Sequence, residues 1–305
     1  MTAALLDQSA AVELGCALVA YVAEEAGIRS LLIKGHALAE HGLREPRRYA
    51  DVDVWIAPES VTSFVDLLRE RGWHERGPNW VLERVGNHSV TLVNDHWPCD
   101  IDVHLRFPGF LAPDDVVFDE LWRRRSSIVL GGRDVVTTDR AGNAAVLALH
   151  SLRQEWNRHQ EVEFEHLIAL MAADPELLAG VLDIAAVTGA NETLAPLFAR
   201  LGVTAKPGFQ PSERALREWS ARKAHVSRTG RWLTYFRSIP LRRWPREIRI
   251  AIWPSPELFR QDHPEVPQSG WALFRGRMRR LVNGGTGMIR IARARISSGR
   301  RPGRH

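Results

Sequence analysis

Residues 47–55 read RRYADVDVW, two arginines followed by two aspartates one residue apart at the head of a β-branched, apolar run. Side chains alternate along a strand, so Asp51 and Asp53 share a face, roughly 7 Å apart, while Val52 and Val54 take the other. Two carboxylates this close repel unless water, cations or a metal offset their charge. A strand end in water is the plain alternative. The chain has 15 aspartates in 305 residues, so chance alone supplies about 0.7 Asp-x-Asp triplets. Two occur, at 51/53 and 100/102, and their meaning rests on their surroundings.

Working outward, residues 8–27 read as an Ala-rich helix ending at Gly27. RSLLIKG (29–35) reads as a short buried strand that stops at Gly35, where HALAEHGLRE begins a helix. Beyond YADVDVWIA, Pro58, Glu59 and Ser60 start an amphipathic helix, VTSFVDLLRERG, with Gly72 as its stop. Short β segments follow: Trp73 to Glu75, VLERV (81–85), HSVTLV (88–93) and CDIDVHLRF (99–107). The last alternates cleanly, with Asp100, Asp102 and His104 on one face and Ile101, Val103 and Leu105 on the other. Strand, helix, strand, helix and then several strands make a mixed α/β unit. From Thr138 the pattern turns helical, with Asp139, Asp174 and Asn191 as expected N-caps. Then come the link KPGFQPSE, a Trp- and Arg-rich stretch, and WPSPELFRQDHPEVP, where Ser255 is an expected cap. The domains expected are 1–137 (α/β), 138–285 (helical, an acceptor or lid region) and 286–305 (a basic, disordered tail).

With 45% apolar residues the chain can bury a large core. No run of eighteen apolar residues offers a membrane span, and the acidic Asp7 and Glu13 in an N-terminus without a basic segment argue against a secretory signal. Two cysteines, Cys16 and Cys99, give neither a disulfide framework nor zinc-ligand spacing, so the expected location is the cytoplasm. The net charge of +5 is a property of the end: Trp271 to His305 holds ten arginines and no acid, leaving residues 1–270 at −5. Such a tail can meet nucleic acid, but it lacks interleaved aromatics, so a solubilising role is preferred. The tryptophans, among them Trp55, Trp232 and Trp253, are expected to be packing anchors. Of 41 basic residues only Lys34, Lys206 and Lys223 are lysine, so Lys34 at a strand end stands out as a compact, mobile charge.

Lys34 and Gly35 thus sit at a helix N-terminus, where backbone N–H groups favour an anion such as phosphate. Asp51 and Asp53 head the next strand, and Asp102, with Asp100 beside it, lies on a later one. If these strands are neighbours, three carboxylates surround one point. Carboxylate oxygens suit Mg²⁺, which keeps positions open for water and substrate phosphates, and a pair of such ions about 4 Å apart clamps both oxygens of a phosphoryl displacement.

The ordered blocks LLIKGHAL, RRYADVDVWIAPE, CDIDVHLRF, LALHSLR and WPSPELFRQDHP resemble a family of bacterial nucleotidyltransferases with the pattern Lys-Gly, Arg-x(2-3)-Asp-x-Asp-hydrophobic, Asp-x-His. The resemblance spans most of residues 25–285, and the family is distantly similar to the DNA polymerase β-like transferases. It implies an α/β (α+β) fold with a mixed sheet and helices, followed by a mostly helical region. Asp51 and Asp53 match the metal-binding pair. Asp102 matches the third carboxylate, which in such enzymes also helps deprotonate the acceptor hydroxyl. Lys34 and Gly35 match the family's Lys-Gly, at the point where better-known relatives carry Gly-Ser for the triphosphate, and with His36 they are the expected nucleotide-binding residues. Arg48 matches the arginine ahead of the aspartates, able to neutralise phosphate or to brace an aspartate. His104 matches the Asp-x-His histidine, its role unassigned, and His150 in LALHSLR reads as a core-edge residue.

The resemblance therefore implies two Mg²⁺ ions, an NTP co-substrate and transfer of NMP to a hydroxyl-type acceptor, a small molecule or peptide, with release of pyrophosphate. Two alternatives stay open: a catalytically silent binding or regulatory protein on the same fold, and phosphotransfer from the same site.

Overall fold

The structure, a computed structural model, describes residues 6–76, 88–153, 158–224, 241–245, 248, 253 and 270–279. In chain order the elements are α1 (Gln8–Glu25), β1 (Ser30–Leu32), α2 (Gly35–Glu40), β2 (Asp51–Ile56), a 3₁₀ turn (Pro58–Ser60), α3 (Val61–Glu70), β3 (His74–Glu75), β4 (Ser89–Val93) and β5 (Asp100–His104). Then come α4 (Asp114–Arg123), β6 (Arg125–Leu130), β7 (Arg133–Thr138), α5 (Arg140–Leu152), α6 (Arg158–Ala173), α7 (Pro175–Thr188), α8 (Asn191–Leu201) and α9 (Glu213–Ala224). The strands form one seven-stranded mixed sheet in the order β3-β4-β5-β2-β1-β7-β6. By its contacts the chain divides into one unit of Met1–Arg76 with His88–Lys223 and another of Gly77–Asn87 with Ala224–His305. In the second unit, Trp271 stacks on Phe274 and the Arg277 guanidinium lies 4.9 Å from the Trp253 ring.

The strand pairing that matters is parallel: β2 lies beside β5 with Asp51 opposite Asp100, Asp53 opposite Asp102 and Trp55 opposite His104. β1 pairs antiparallel with the other edge of β2, and Ile33 N–H donates to Asp53 O at 3.0 Å, so the chain reaches Lys34 alongside Asp53. Period-two alternation then separates two apolar layers. Val52, Val54 and Ile56 of β2 join Ile101 and Val103 of β5 in a cluster capped by α1 and α3. Trp55 and Leu31 enter the opposite cluster, built largely by α4–α8. Trp55 is fully buried among Phe107, Phe110 and Phe118 at centroid distances of 6.0 to 6.4 Å. Asp51 and Asp53 share the Trp55 face, so the carboxylates stand where this second layer gives way to polar side chains.

Asp139 and Asp174 cap their helices as expected, accepting from Gly142 N at 2.7 Å and Leu177 N at 2.9 Å. Asn191 does not: Ala190 holds the cap position, and the Asn191 amide donates instead to Lys206 O at 2.9 Å. Three elements between Phe107 and Thr138 go beyond the sequence reading: α4 and the β6–β7 hairpin. β6 is an edge strand in which only Leu130 is fully buried, so its apolar alternation is weak. The VLERV segment, the helix expected after Ser255, Trp232 and the tail 286–305 lie outside the described residues.

Candidate active site

The Lys34 ammonium lies 2.5 Å from Asp53 Oδ1, and His104 Nε2 lies 2.8 Å from the same oxygen. All three side chains are largely withdrawn from solvent, at 14% for Lys34, 6% for Asp53 and 2% for His104. Burial alone would raise the Asp53 carboxyl, but Lys34 and His104 outweigh it and hold the group well below the usual carboxylate range. Burial, then the charge of Lys34, lowers His104 despite its bond to Asp53. The ring is therefore neutral, with Nε2 as the donor to an ionised Asp53. Its other nitrogen, Nδ1, is buried without a hydrogen-bond partner.

One strand over, the Thr91 hydroxyl on β4 donates to Asp102 Oδ1 at 2.5 Å. The Asp102 carboxyl is pushed up to about 6, first by burial, with Asp53 and Asp51 adding to it, against the Thr91 bond and Lys34. Asp51 stands at the solvent end of β2 yet is also raised, by desolvation among its neighbours and then by the charge of Asp53. Asp100 is tied to Arg76 in a surface ion pair.

The sequence-derived residues are thus brought together unequally. Lys34, Asp53 and Asp102 converge, with Asp51 next to them on β2. Gly35 opens α2 with φ 41°, and Lys34 before it has φ 58° and ψ −149°. Lys34 is the single non-glycine residue with positive φ among those described. His36 is half-buried, edge-on to Tyr49 at 4.7 Å, with Nε2 buried and unpartnered and its pKa lowered by burial. Arg48 is exposed and makes no ion pair with a described residue. Its neighbours Arg44 and Arg47 are held by Glu163 on α6 at 2.8 and 2.9 Å. Neutralisation of Asp53 comes from Lys34 instead.

His104 belongs to the site more closely than its sequence match indicates. Single ligand atoms of Asp53, Asp102 and His104 all lie within 4.8 Å of one another, and among the described residues this is the group able to hold a metal ion. Asp51 falls outside it. Two hard oxygens and one imidazole nitrogen suit Mg²⁺ or Mn²⁺, and an ion taking the Nε2 lone pair would replace the bond to Asp53, with the ring proton carried on Nδ1, which is buried without a hydrogen-bond partner. The side chains fit such an ion. The signal for His104 was its alternation with Asp102; Thr91 carried none, because only the β4–β5 register, Thr91 opposite Asp102, brings it there.

Carboxylates and a lysine converging on adjacent central strands of a mixed sheet define a site for cations and phosphates in an α/β enzyme. Residues 2–200 match the family described as uncharacterised nucleotidyltransferase, and the chain belongs to that family. No curated protein matches the sequence. Among solved structures, it is similar to an antigenic nucleotidyltransferase-like protein from Paracoccidioides brasiliensis, with 14% identity, 66% of this chain and 96% of that one covered, and a TM-score of 0.37. It is also similar to the antibiotic-resistance factor ANT(2'')-Ia, at 10% identity, 63% and 99% coverage and a TM-score of 0.41. A tRNA-processing enzyme is similar at 14% identity, 90% and 89% coverage and a TM-score of 0.26. No helix among the described residues is long and apolar enough to cross a membrane.

Proposed function

We propose that the protein moves a nucleoside monophosphate from an NTP to a hydroxyl-type acceptor, a small molecule or peptide, and releases pyrophosphate. The observation that carries this reading is the in-register pairing of Asp53 with Asp102 on parallel strands, with His104 completing a set of ligand atoms within 4.8 Å. Asp53, Asp102 and His104 would hold one divalent ion, and Asp51 a second together with substrate oxygens. Bound Mg²⁺ supplies electrostatic stabilisation of the attacking and leaving oxygens.

The chain's own groups do the rest. Asp102, the third carboxylate of the cluster, is the group we assign to accept the acceptor's proton as that oxygen attacks. The acceptor oxygen bonds to the α-phosphorus as the bond to the bridging oxygen breaks, and pyrophosphate leaves with the electron pair. Lys34, at the Gly35 turn, swings from Asp53 to the phosphates as they enter. The helical region from residue 138 shapes the acceptor side. A cavity of about 160 Å³ is lined by residues 106–112, Asp114 and, from α9 of that region, Ala215, Glu218 and Trp219. The buried, unbridged Cys16 and Cys99 suit a cytoplasmic setting, where NTPs are abundant.

Asp53→Asn tests the site. The variant should bury the same core but lose Mg²⁺-dependent turnover by two orders of magnitude or more, in the range set by loss of electrostatic stabilisation, about 10²–10³. Pyrophosphate in the wild-type products marks nucleotidyl transfer, whereas nucleoside diphosphate would replace this reading with phosphotransfer. A variant with full turnover would refute the site.

A further inference from the structure

The last turn of α5 ends beside Phe107. His150 and Arg153 lie three residues apart, which sets them on one side of that helix end. The Arg153 guanidinium lies 5.9 Å from the centroid of the Phe107 ring, and the Lys34 ammonium lies 5.6 Å from the same centroid. Phe107 follows His104 by three residues and its ring is 6.1 Å from the imidazole. Two cations from different elements thus gather on one buried ring next to Asp53.

Burial pulls His150 down to about 3, with Arg153, Lys34 and Arg44 pushing the same way against Asp53. His150 is neutral, and its buried Nδ1 has no hydrogen-bond partner among the described residues. A neutral imidazole can offer that nitrogen as an N–H donor without adding charge, and a guanidinium presents a planar fork that matches phosphate oxygens. A triphosphate carries several negative charges to the site, and divalent ions held by Asp51, Asp53 and Asp102 would be largely offset by those carboxylates, so the outer phosphates need cationic side chains beyond Lys34.

We infer that His150 and Arg153 form the polyphosphate-binding wall of the nucleotide site, facing the Asp53–Asp102–His104 cluster across Phe107. Arg153 takes the oxygens of the outer phosphates and His150 donates to one of them. The inference rests on the nucleotidyl-transfer reading, and it assigns to α5 a role that the acidic strands cannot fill.

The test is titration calorimetry on the full chain with Mg²⁺, using ATP, GTP, CTP and UTP to find the preferred base, then its monophosphate and inorganic tripolyphosphate. Arg153→Gln should weaken the triphosphate and tripolyphosphate about tenfold or more, the range of a lost charge-assisted contact, and the monophosphate far less. Arg153→Lys should fall between, and His150→Gln should show a smaller loss of the same selectivity. Arg125→Gln, on β6, should change nothing. If Arg153→Gln keeps the wild-type affinities, the inference is overturned while the nucleotidyl-transfer reading stands. If the wild type binds no NTP, both fail. Should Arg153→Gln not fold, the wild type answers alone: NTP must protect Arg153 from phenylglyoxal, read by peptide mass spectrometry, and equal modification with and without nucleotide overturns the assignment.

Discussion

Lys34 combines a backbone at φ 58° and ψ −149° with an ammonium 2.5 Å from Asp53. That backbone region is close to glycine-only, and a side chain held there costs on the order of 1–3 kcal/mol unless its surroundings impose it. Here β1 and β2 impose it, since the bond from Ile33 N–H to Asp53 O fixes the chain one residue earlier. The two contributions can be separated. Lys34→Ala removes the ammonium and keeps the strain, whereas Lys34→Gly removes both. Each should be less stable than the wild type, because Asp53 is left buried with His104 alone. The glycine variant should nevertheless unfold at higher urea than the alanine variant, by about 1 kcal/mol after the entropic cost of glycine. Equal midpoints would mean that the turn stores no strain.

Asp102 gives the second prediction at this scale. Its folded carboxyl titrates at about 6, above the ordinary 3.8. An acid raised on folding binds protons more tightly in the native state, so its contribution to stability is present at low pH and is lost as pH rises from about 4 through 6. Asp102→Asn does not titrate. Without divalent ions, the stability difference between variant and wild type should therefore shift toward the variant by roughly 2–3 kcal/mol from pH 4 to pH 7.5. Paired chemical denaturation across that range measures it. A difference that is flat with pH would place Asp102 in a solvated environment.

At the scale of elements, the sequence was most readable where one period ran unbroken. The alternation in DVDVWI and DIDVH yielded β2 and β5 and predicted which side chains share a face, and Asp139 and Asp174 announced α5 and α7 as caps. It could not yield the pairing that makes the site, because nothing local in either strand says that β5 lies parallel beside β2 at that register. Thr91 joined the site only through the β4–β5 register, and Phe107 through its place just past β5. The β6–β7 hairpin went unread for a different reason: β6 closes the sheet at its edge and buries little. α5 itself depends on a close approach at its start, where a Cβ at Gly142 would meet the Thr138 hydroxyl at 2.2 Å, next to the Asp139 cap. Gly142→Ala should thus push the helix off β7. We expect a loss of about 1–3 kcal/mol, as overpacking a tight contact usually costs, read as a lower denaturation midpoint. An unchanged midpoint would show that Thr138 can rotate away.

Across the main unit, β5, β2 and β1 are the three central strands of the seven, and they carry the site between the two apolar layers. Pulling Asp53 away from Asp102 means parting β2 from β5, which is the middle of the sheet, so a cation shared by the two is linked to unfolding of the whole unit. Anything that binds the folded state alone stabilises it by RT ln(1 + [L]/Kd), about 2.7 kcal/mol at one hundred times Kd. The melting temperature should therefore climb with the logarithm of Mg²⁺ or Mn²⁺ concentration once the site saturates, and Asp53→Asn should flatten that dependence. The pH dependence has a definite sign. Below about 6 Asp102 takes up its proton and no longer offers a charged oxygen, so the cation must compete with that proton and the stabilisation at a fixed concentration should shrink from pH 7.5 to pH 5. This trend runs opposite to that of the metal-free protein, in which protonating Asp102 adds stability. Scanning calorimetry at both pH values, with EDTA and with Mn²⁺, distinguishes the two: curves that respond to the ion equally at pH 5 and pH 7.5 would remove Asp102 from the ligand set.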